Sequence, residues 1–63
     1  MATDKDFEVE SKVVNHPGFP VTEFRVTHRK TGWLHISYTT SIAEFDESDA
    51  LERAREAYRN EAV

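Results

Sequence analysis

The sequence predicts an α+β fold, in which a three-stranded antiparallel meander sheet (strand order 1-2-3) packs on one C-terminal helix. Three observations support this β-β-β-α arrangement. Residues 7–14, 21–28 and 33–40 show the apolar and polar alternation of strands that bury one face. Short segments of turn-forming residues separate these runs. Apolar side chains then recur at helical spacing from residue 50 onwards.

The first strand, residues 7–14, is ended by the turn-forming segment Asn-His-Pro-Gly-Phe-Pro at residues 15–20. We expect these six residues to form a loop that joins the first strand to residues 21–28. With a loop of six residues, each charged side chain of the first strand that faces a charged partner in the second strand meets one of opposite sign. The expected partners are Val14 with Val21, Lys12 with Glu23, Glu10 with Arg25, and Val9 with Val26.

The second hairpin is expected to turn at Lys30-Thr31-Gly32, a three-residue loop with Gly32 in the left-handed conformation. This loop pairs Arg29 with Trp33, and it places the large apolar side chains of both strands on one face. A slip of one residue would distribute them over two faces, so we expect the register to be well specified. The face away from the core then carries Glu23, Arg25, Thr27, Arg29, Trp33, His35, Ser37 and Thr39.

The last element is a helix that begins after Asp46, a residue type preferred at the N-cap, with Asp49 three positions later. Its apolar stripe is narrow and rich in alanine, so the helix can lie close to the sheet. The stripe consists of Ala50, Leu51, Ala54, Ala57 and Tyr58. We expect this stripe to cover the apolar face of the sheet.

The candidate core is small for one domain of 63 residues. It comprises Phe7, Val9, Val13, Phe24, Val26, Ile36, Tyr38, Ile42, Phe45, Leu51 and Tyr58. Short chains often gain stability from disulfides, a metal or a second subunit, and this chain has no cysteine. A homodimer, or docking on a larger protein, is therefore expected.

Residues 1–63 are interpreted as a single domain, in which residues 1–6 are a disordered tail. No apolar run approaches the roughly 20 residues of a membrane span, and the N-terminus lacks the basic and apolar regions of a signal peptide. The absence of cysteine agrees with a reducing compartment. We expect a cytoplasmic protein with no membrane contact.

Catalytic and metal chemistry find little support in this sequence. A metal would need His16, His28 and His35, but the expected register places the last two on opposite faces. Ser37 and His35 are next-but-one neighbours on a strand, about 6–7 Å apart, and no oxyanion or phosphate-binding loop accompanies them. We expect a protein that is not an enzyme and has no cofactor, metal or small-molecule substrate.

Protein–protein interaction is the function that more of the pattern favours. Exposed aromatic and arginine side chains dominate interface hot spots, and edge strands can accept an incoming strand. The third strand, residues 33–40, is expected at an edge of the sheet, and His35 is its only possible charge to discourage pairing. The expected contact residues are Trp33, Arg25, Arg29, His35 and Lys30. The hypothesis is a small accessory or regulatory factor, of the type carried by phages and mobile elements, that binds a protein partner or itself.

Nucleic-acid binding is the alternative interpretation. The same expected face combines cations with an indole ring on which a base could stack. The formal net charge of −4 opposes it, although residues 12–43 sum to +3.

Overall fold

A computed structural model describes residues 5–62, apart from the side chains of His16 and Ala62. The predicted α+β fold is confirmed, with three antiparallel strands in the order β1-β2-β3 followed by one C-terminal helix. The elements are β1 (Phe7–His16), β2 (Phe19–His28), β3 (Leu34–Thr39) and α1 (Glu47–Ala62). The expected tail, residues 1–6, lies mostly outside the described residues. The helix within the described range is neither long nor apolar enough to cross a membrane.

The first hairpin has the predicted register but a tighter turn. Val14 pairs with Val21, and Lys12 with Glu23, as the charges indicate. Pairing continues to the end of both strands, so Pro17 and Gly18 alone connect them and the expected six-residue loop is absent. Gly18 has a φ of +95°, which suits glycine after proline at the centre of a turn.

The second hairpin differs from the prediction by one residue. The His28 amide donates to the Trp33 carbonyl at 2.8 Å, and the Gly32 amide donates to the His28 carbonyl at 2.9 Å. The loop therefore spans four residues, 29–32, rather than three, although Gly32 is left-handed as predicted, with a φ of +77°. Val26 consequently pairs with His35, and Ile36 pairs with Arg25.

This shift exchanges the two faces of β3, because side chains alternate along a strand. Trp33 and His35 lie on the side that packs against α1, while Leu34, Ile36 and Tyr38 lie on the opposite side. The predicted pairing of Val26 with Ile36 was therefore wrong. Large side chains occur at both alternating sets of positions, so either set could serve as the buried one.

The core lies between the sheet and α1. Its buried members are Phe7, Phe24, Val26, Ala50, Leu51 and Ala54, with Val9, Trp33, Phe45 and Tyr58 packed around them. Four predicted core residues are instead exposed: Val13 (65 %), Ile36 (38 %), Tyr38 (58 %) and Ile42 (64 %). The two alanines allow α1 to approach the sheet closely, as the sequence predicts.

The start of α1 is capped as predicted. The amides of Ser48 and Asp49 donate to Asp46 Oδ1 at 3.0 and 3.2 Å, and the Asp46 amide donates to Asp49 Oδ2 at 3.0 Å. This reciprocal arrangement satisfies backbone donors that the first turn leaves without helical partners. Ser11 Oγ, 3.3 Å from Glu47 Oε1, connects the helix start to β1.

Candidate functional site on the open face and edge of β3

The open face is the side of the sheet that α1 does not cover. From the strand registers, its described side chains are Glu8, Glu10, Lys12, Val14, Phe19, Val21, Glu23, Arg25, Thr27, Leu34, Ile36 and Tyr38. Charged groups are confined to the rows contributed by β1 and β2. The row contributed by β3 is apolar, and it borders the edge of the sheet.

The outer side of β3 also offers backbone hydrogen-bonding groups. Residues of an antiparallel pair alternate between those that bond the neighbouring strand and those that point away from it. Since Trp33 bonds His28, the residues that point away from β2 are Leu34, Ile36 and Tyr38. No described strand lies beyond β3. We call these three residues the β3 edge; as whole residues they are 46 %, 38 % and 58 % exposed.

No acidic or basic side chain other than a histidine occurs in β3, whose sequence is Leu-His-Ile-Ser-Tyr-Thr. Natural edge strands usually carry lysine, proline or inward-pointing charges that discourage pairing with another chain. The opposite edge of the sheet, β1, carries such charges at Glu8, Glu10 and Lys12. The two edges therefore differ, and β3 is the one suited to strand addition.

The buried carboxylate of Glu23 holds the side chain of Tyr38, the last residue of the β3 edge. Glu23 is only 6 % exposed although it lies on the open face. Tyr38 Oη donates to Glu23 Oε1 at 3.2 Å, while Arg25 Nε and Lys12 Nζ lie 3.3 and 3.5 Å from Oε2. Every strand thus contributes to this cluster, and it orients the Tyr38 ring across the sheet.

An open groove of about 740 Å³ adjoins this cluster at the end of the first hairpin. Its lining is largely apolar and includes Val14, Phe19, Val21, Glu23, Tyr38, Thr39 and Thr40. Val21 is 7 % exposed, so the base of the groove is packed, whereas Phe19 is 52 % exposed at its rim. The groove extends the apolar row of β3 towards the first hairpin.

The contacts of Glu23 shift the pKa values of both partners. Desolvation raises the pKa of Glu23, but the Tyr38 hydrogen bond and the charges of Arg25 and Lys12 outweigh it, so the pKa lies below its ordinary 4.5. The hydrogen bond to Glu23, followed by desolvation, raises the pKa of Tyr38 above its ordinary 10.0. The pair is most stable as carboxylate and neutral phenol.

This arrangement predicts a pH dependence with two limits. The lowered pKa of Glu23 contributes stability above about pH 4.5, and that contribution is lost as the pH falls through the folded-state pKa. The raised pKa of Tyr38 contributes stability below pH 10.0, lost as the pH rises through its folded value. In Tyr38→Phe, a carboxyl NMR titration should show a higher Glu23 pKa. An unchanged Glu23 pKa in that variant would contradict the arrangement.

The placement of Trp33 and His35 on the open face was wrong. Trp33 is half-buried beside α1, where its Nε1 donates to Glu61 Oε2 at 2.7 Å and its ring meets Tyr58 edge-on at 5.2 Å. His35 stacks on Trp33 with ring centroids 5.8 Å apart. The one-residue change of register accounts for both corrections.

The three predicted cations also do not share one surface with Trp33. Arg25 lies on the open face as expected, and its Nε bonds Glu23. Arg29 belongs to the loop, where Nε and Nη2 each lie 3.4 Å from the Phe7 carbonyl oxygen. Lys30 is exposed in the same loop. The five predicted contact residues are therefore not brought together.

The expectation that His28 and His35 lie on opposite faces was also wrong, since both are on the α1 side. His28 is nevertheless occupied in packing, because its ring stacks on Tyr58 at 4.4 Å and Thr31 bonds its Nδ1. Within the described part of the chain, no group of three or more histidine, cysteine, aspartate or glutamate residues could hold a metal ion.

The sequence prediction missed Leu34, Ile36 and Tyr38 as surface residues. The absence of charge along this strand was visible in the sequence and indicated an unprotected edge, but the expected register placed these side chains inside.

No protein-family model matches this chain, and no curated protein or solved structure matches it significantly. Function is therefore inferred from the geometry of the chain itself.

Proposed function

We propose that this chain is a non-catalytic cytoplasmic interaction module that binds an extended protein segment along the β3 edge. The observation that supports this most is the coincidence of two properties in three residues. Leu34, Ile36 and Tyr38 direct their backbone groups away from β2, and their apolar side chains are exposed. An accessory or regulatory role is proposed on the same basis, since the surface is suited to recognition rather than chemistry.

Strand addition would use each part of this surface differently. Main-chain hydrogen bonds along an edge supply affinity, and pockets for alternate side chains supply specificity. An incoming strand would place alternate side chains beside the apolar row of β3. The groove near Tyr38 could receive a side chain at one end of that strand. The surface therefore favours partners with an uncharged, apolar face.

A peptide with the sequence of residues 33–40 provides a defined probe for this proposal. Labelled with a fluorophore and titrated with dilute protein, it should show saturable anisotropy. Ile36→Pro in the protein should weaken binding at least 10-fold, corresponding to about 1.4 kcal/mol. Because the Ile36 amide points away from β2, proline removes an outward donor and leaves the bonds within the sheet.

The matched control is the same peptide with proline at the position of Ile36, tested against the unaltered protein. It should bind weakly for the same reason. Circular dichroism of Ile36→Pro should retain the mixed helix and strand spectrum. Equal binding of both peptides, or no binding of either, would contradict strand addition at this edge.

Nucleic-acid binding lacks comparable support. It required an exposed tryptophan among cations, but Trp33 and Arg25 lie on opposite faces of the sheet. The Trp33 indole is also engaged by Tyr58 and Glu61. A titration of Trp33 emission with DNA or RNA in dilute salt remains the appropriate test, and a quench reversed by salt would restore that alternative.

A further inference from the structure

We propose that a second copy of this chain occupies the β3 edge, with the two β3 strands antiparallel and a two-fold axis at Ile36. The two sheets would form one continuous six-stranded sheet. This inference rests on the proposed function, since it uses the same edge and names its occupant. Closed two-fold dimers are the commonest oligomers, and their interfaces must complement themselves.

The backbone meets this requirement in one register centred on Ile36. Ile36 then lies opposite its own equivalent, and Leu34 lies opposite the second copy's Tyr38. All three residues point away from β2, so each forms a pair that exchanges both N–H···O bonds. No outward-facing backbone group of the β3 edge is left without a partner.

The side chains are complementary in the same register. On the open face, Ile36 meets Ile36 and Leu34 meets Tyr38, which are apolar and aromatic cross-strand pairs of the stabilising kind. On the α1 side, His35 lies opposite the second copy's Ser37, and these two side-chain types can hydrogen-bond. Because β3 has no acidic residue, lysine or arginine, the axis places no fixed like charges opposite one another.

The groove on the helix side of β3 carries charges of both signs. A groove of about 720 Å³ between β3 and α1 is lined on the helix by Arg53, Glu56 and Asn60. A two-fold axis turns the second copy end for end, so Arg53 and Glu56 follow each other in the opposite order along its groove. The helix side of the β3 edge therefore does not carry charges of one sign only, which would repel a second copy.

Stacking of two open faces is less favourable than pairing of edges. Face-to-face contact would bury the charges of Glu8, Glu10, Lys12 and Arg25, and taking charged groups out of water is costly. Edge pairing leaves all four in solvent. It also extends the sheet of a domain whose core is small for a single folded unit.

The test exploits the position of residue 36, which would face itself. In the full chain, Ile36→Lys and Ile36→Glu should each sediment as monomers, because like charges would meet on the axis. An equimolar mixture of the two should form a heterodimer. The unaltered chain should be dimeric, with a dissociation constant at least 10-fold lower than that of either variant. Dimerisation of each single variant like the unaltered chain would overturn the proposal.

Cysteine cross-linking checks the register independently, because the chain contains no cysteine. Ile36→Cys should be joined into a covalent dimer by a short bifunctional thiol reagent, since the Cα atoms of such a pair lie about 5.5 Å apart. Leu34→Cys is the matched control, because its equivalents would be displaced by about 13 Å along the strands. Equal cross-linking of the two variants would contradict an axis at Ile36.

The outcomes separate this inference from the proposed function. A chain that stays monomeric up to about 1 mM, yet binds the peptide of residues 33–40, would refute the second copy as occupant and retain strand addition. A monomeric chain that also fails to bind the peptide would refute both.

Discussion

Replacing Trp33 with alanine is expected to lower the free energy of unfolding by about 2–4 kcal/mol. Burial of tryptophan in a core is worth roughly 3–5 kcal/mol in such truncations, and Trp33 is half-buried. The variant also loses the edge-on contact with Tyr58 and the hydrogen bond to Glu61. A domain of this length has a total stability of roughly 3–9 kcal/mol, so the expected loss is a large part of the free energy of unfolding.

Leu34→Ala is the matched control, because Leu34 is the next residue along and lies on the open face, 46 % exposed. Its cost should stay below about 1 kcal/mol. Urea denaturation followed by far-ultraviolet circular dichroism measures both variants. A larger loss in Leu34→Ala than in Trp33→Ala would indicate the opposite assignment of faces, with Leu34 inside and Trp33 outside.

Phe24→Ala is expected to be at least as damaging, at about 3–5 kcal/mol. Phe24 is 2 % exposed at the centre of the sheet, and its ring meets Phe45 edge-on with centroids 5.8 Å apart. Truncation opens a cavity between the sheet and α1 that the small side chains of Ala50 and Ala54 cannot fill. Thermal unfolding of this variant should begin well below that of the unaltered chain.

Ile42→Ala provides the comparison for Phe24→Ala. Both residues are large and apolar, and the sequence therefore assigns both to the core. In the structure, however, Ile42 is 64 % exposed beside the start of α1. Its removal should therefore change the stability by less than about 1 kcal/mol. Comparable losses in the two variants would mean that the segment before α1 packs more closely than the structure shows.

The first hairpin was predictable because independent local signals agreed. Lys12 opposite Glu23 and Glu10 opposite Arg25 favour one register, and the pairing of Val14 with Val21 is compatible with it. The error in loop length had no effect on that register, because the strands continue symmetrically to Pro17 and Gly18. Gly18 supplies the positive φ that such a short connection needs.

The second hairpin was not predictable because its local signals were equivalent. Loops of three and four residues both place a left-handed glycine at Gly32. Residues 33–40 carry large side chains at both alternating sets of positions, so periodicity does not decide which set is buried. Trp33 packs on Tyr58 and bonds Glu61, and both residues belong to α1, far along the chain. Tertiary contacts of this kind are not visible in a local pattern.

The error in the register of the second hairpin also made part of the predicted candidate site wrong. The sequence indicated an uncharged third strand at the edge of the sheet, and the structure retains that feature. It also predicted a mixed surface of Trp33, His35 and Arg25, which the observed pairing divides between two faces. The burial of Glu23 on the open face was missed because it depends on Tyr38, which the prediction placed on the other side.

The pairing of β2 with β3 can be measured directly by nuclear Overhauser effects between Hα protons. These are strong at antiparallel pairs whose backbones do not bond each other, where the strands approach most closely. The account predicts strong effects between Arg25 and Ile36 and between Glu23 and Tyr38. Strong effects between Val26 and Ile36 and between Phe24 and Tyr38 would instead restore the three-residue loop. That result would place Trp33 on the open face and contradict the β3 edge described above.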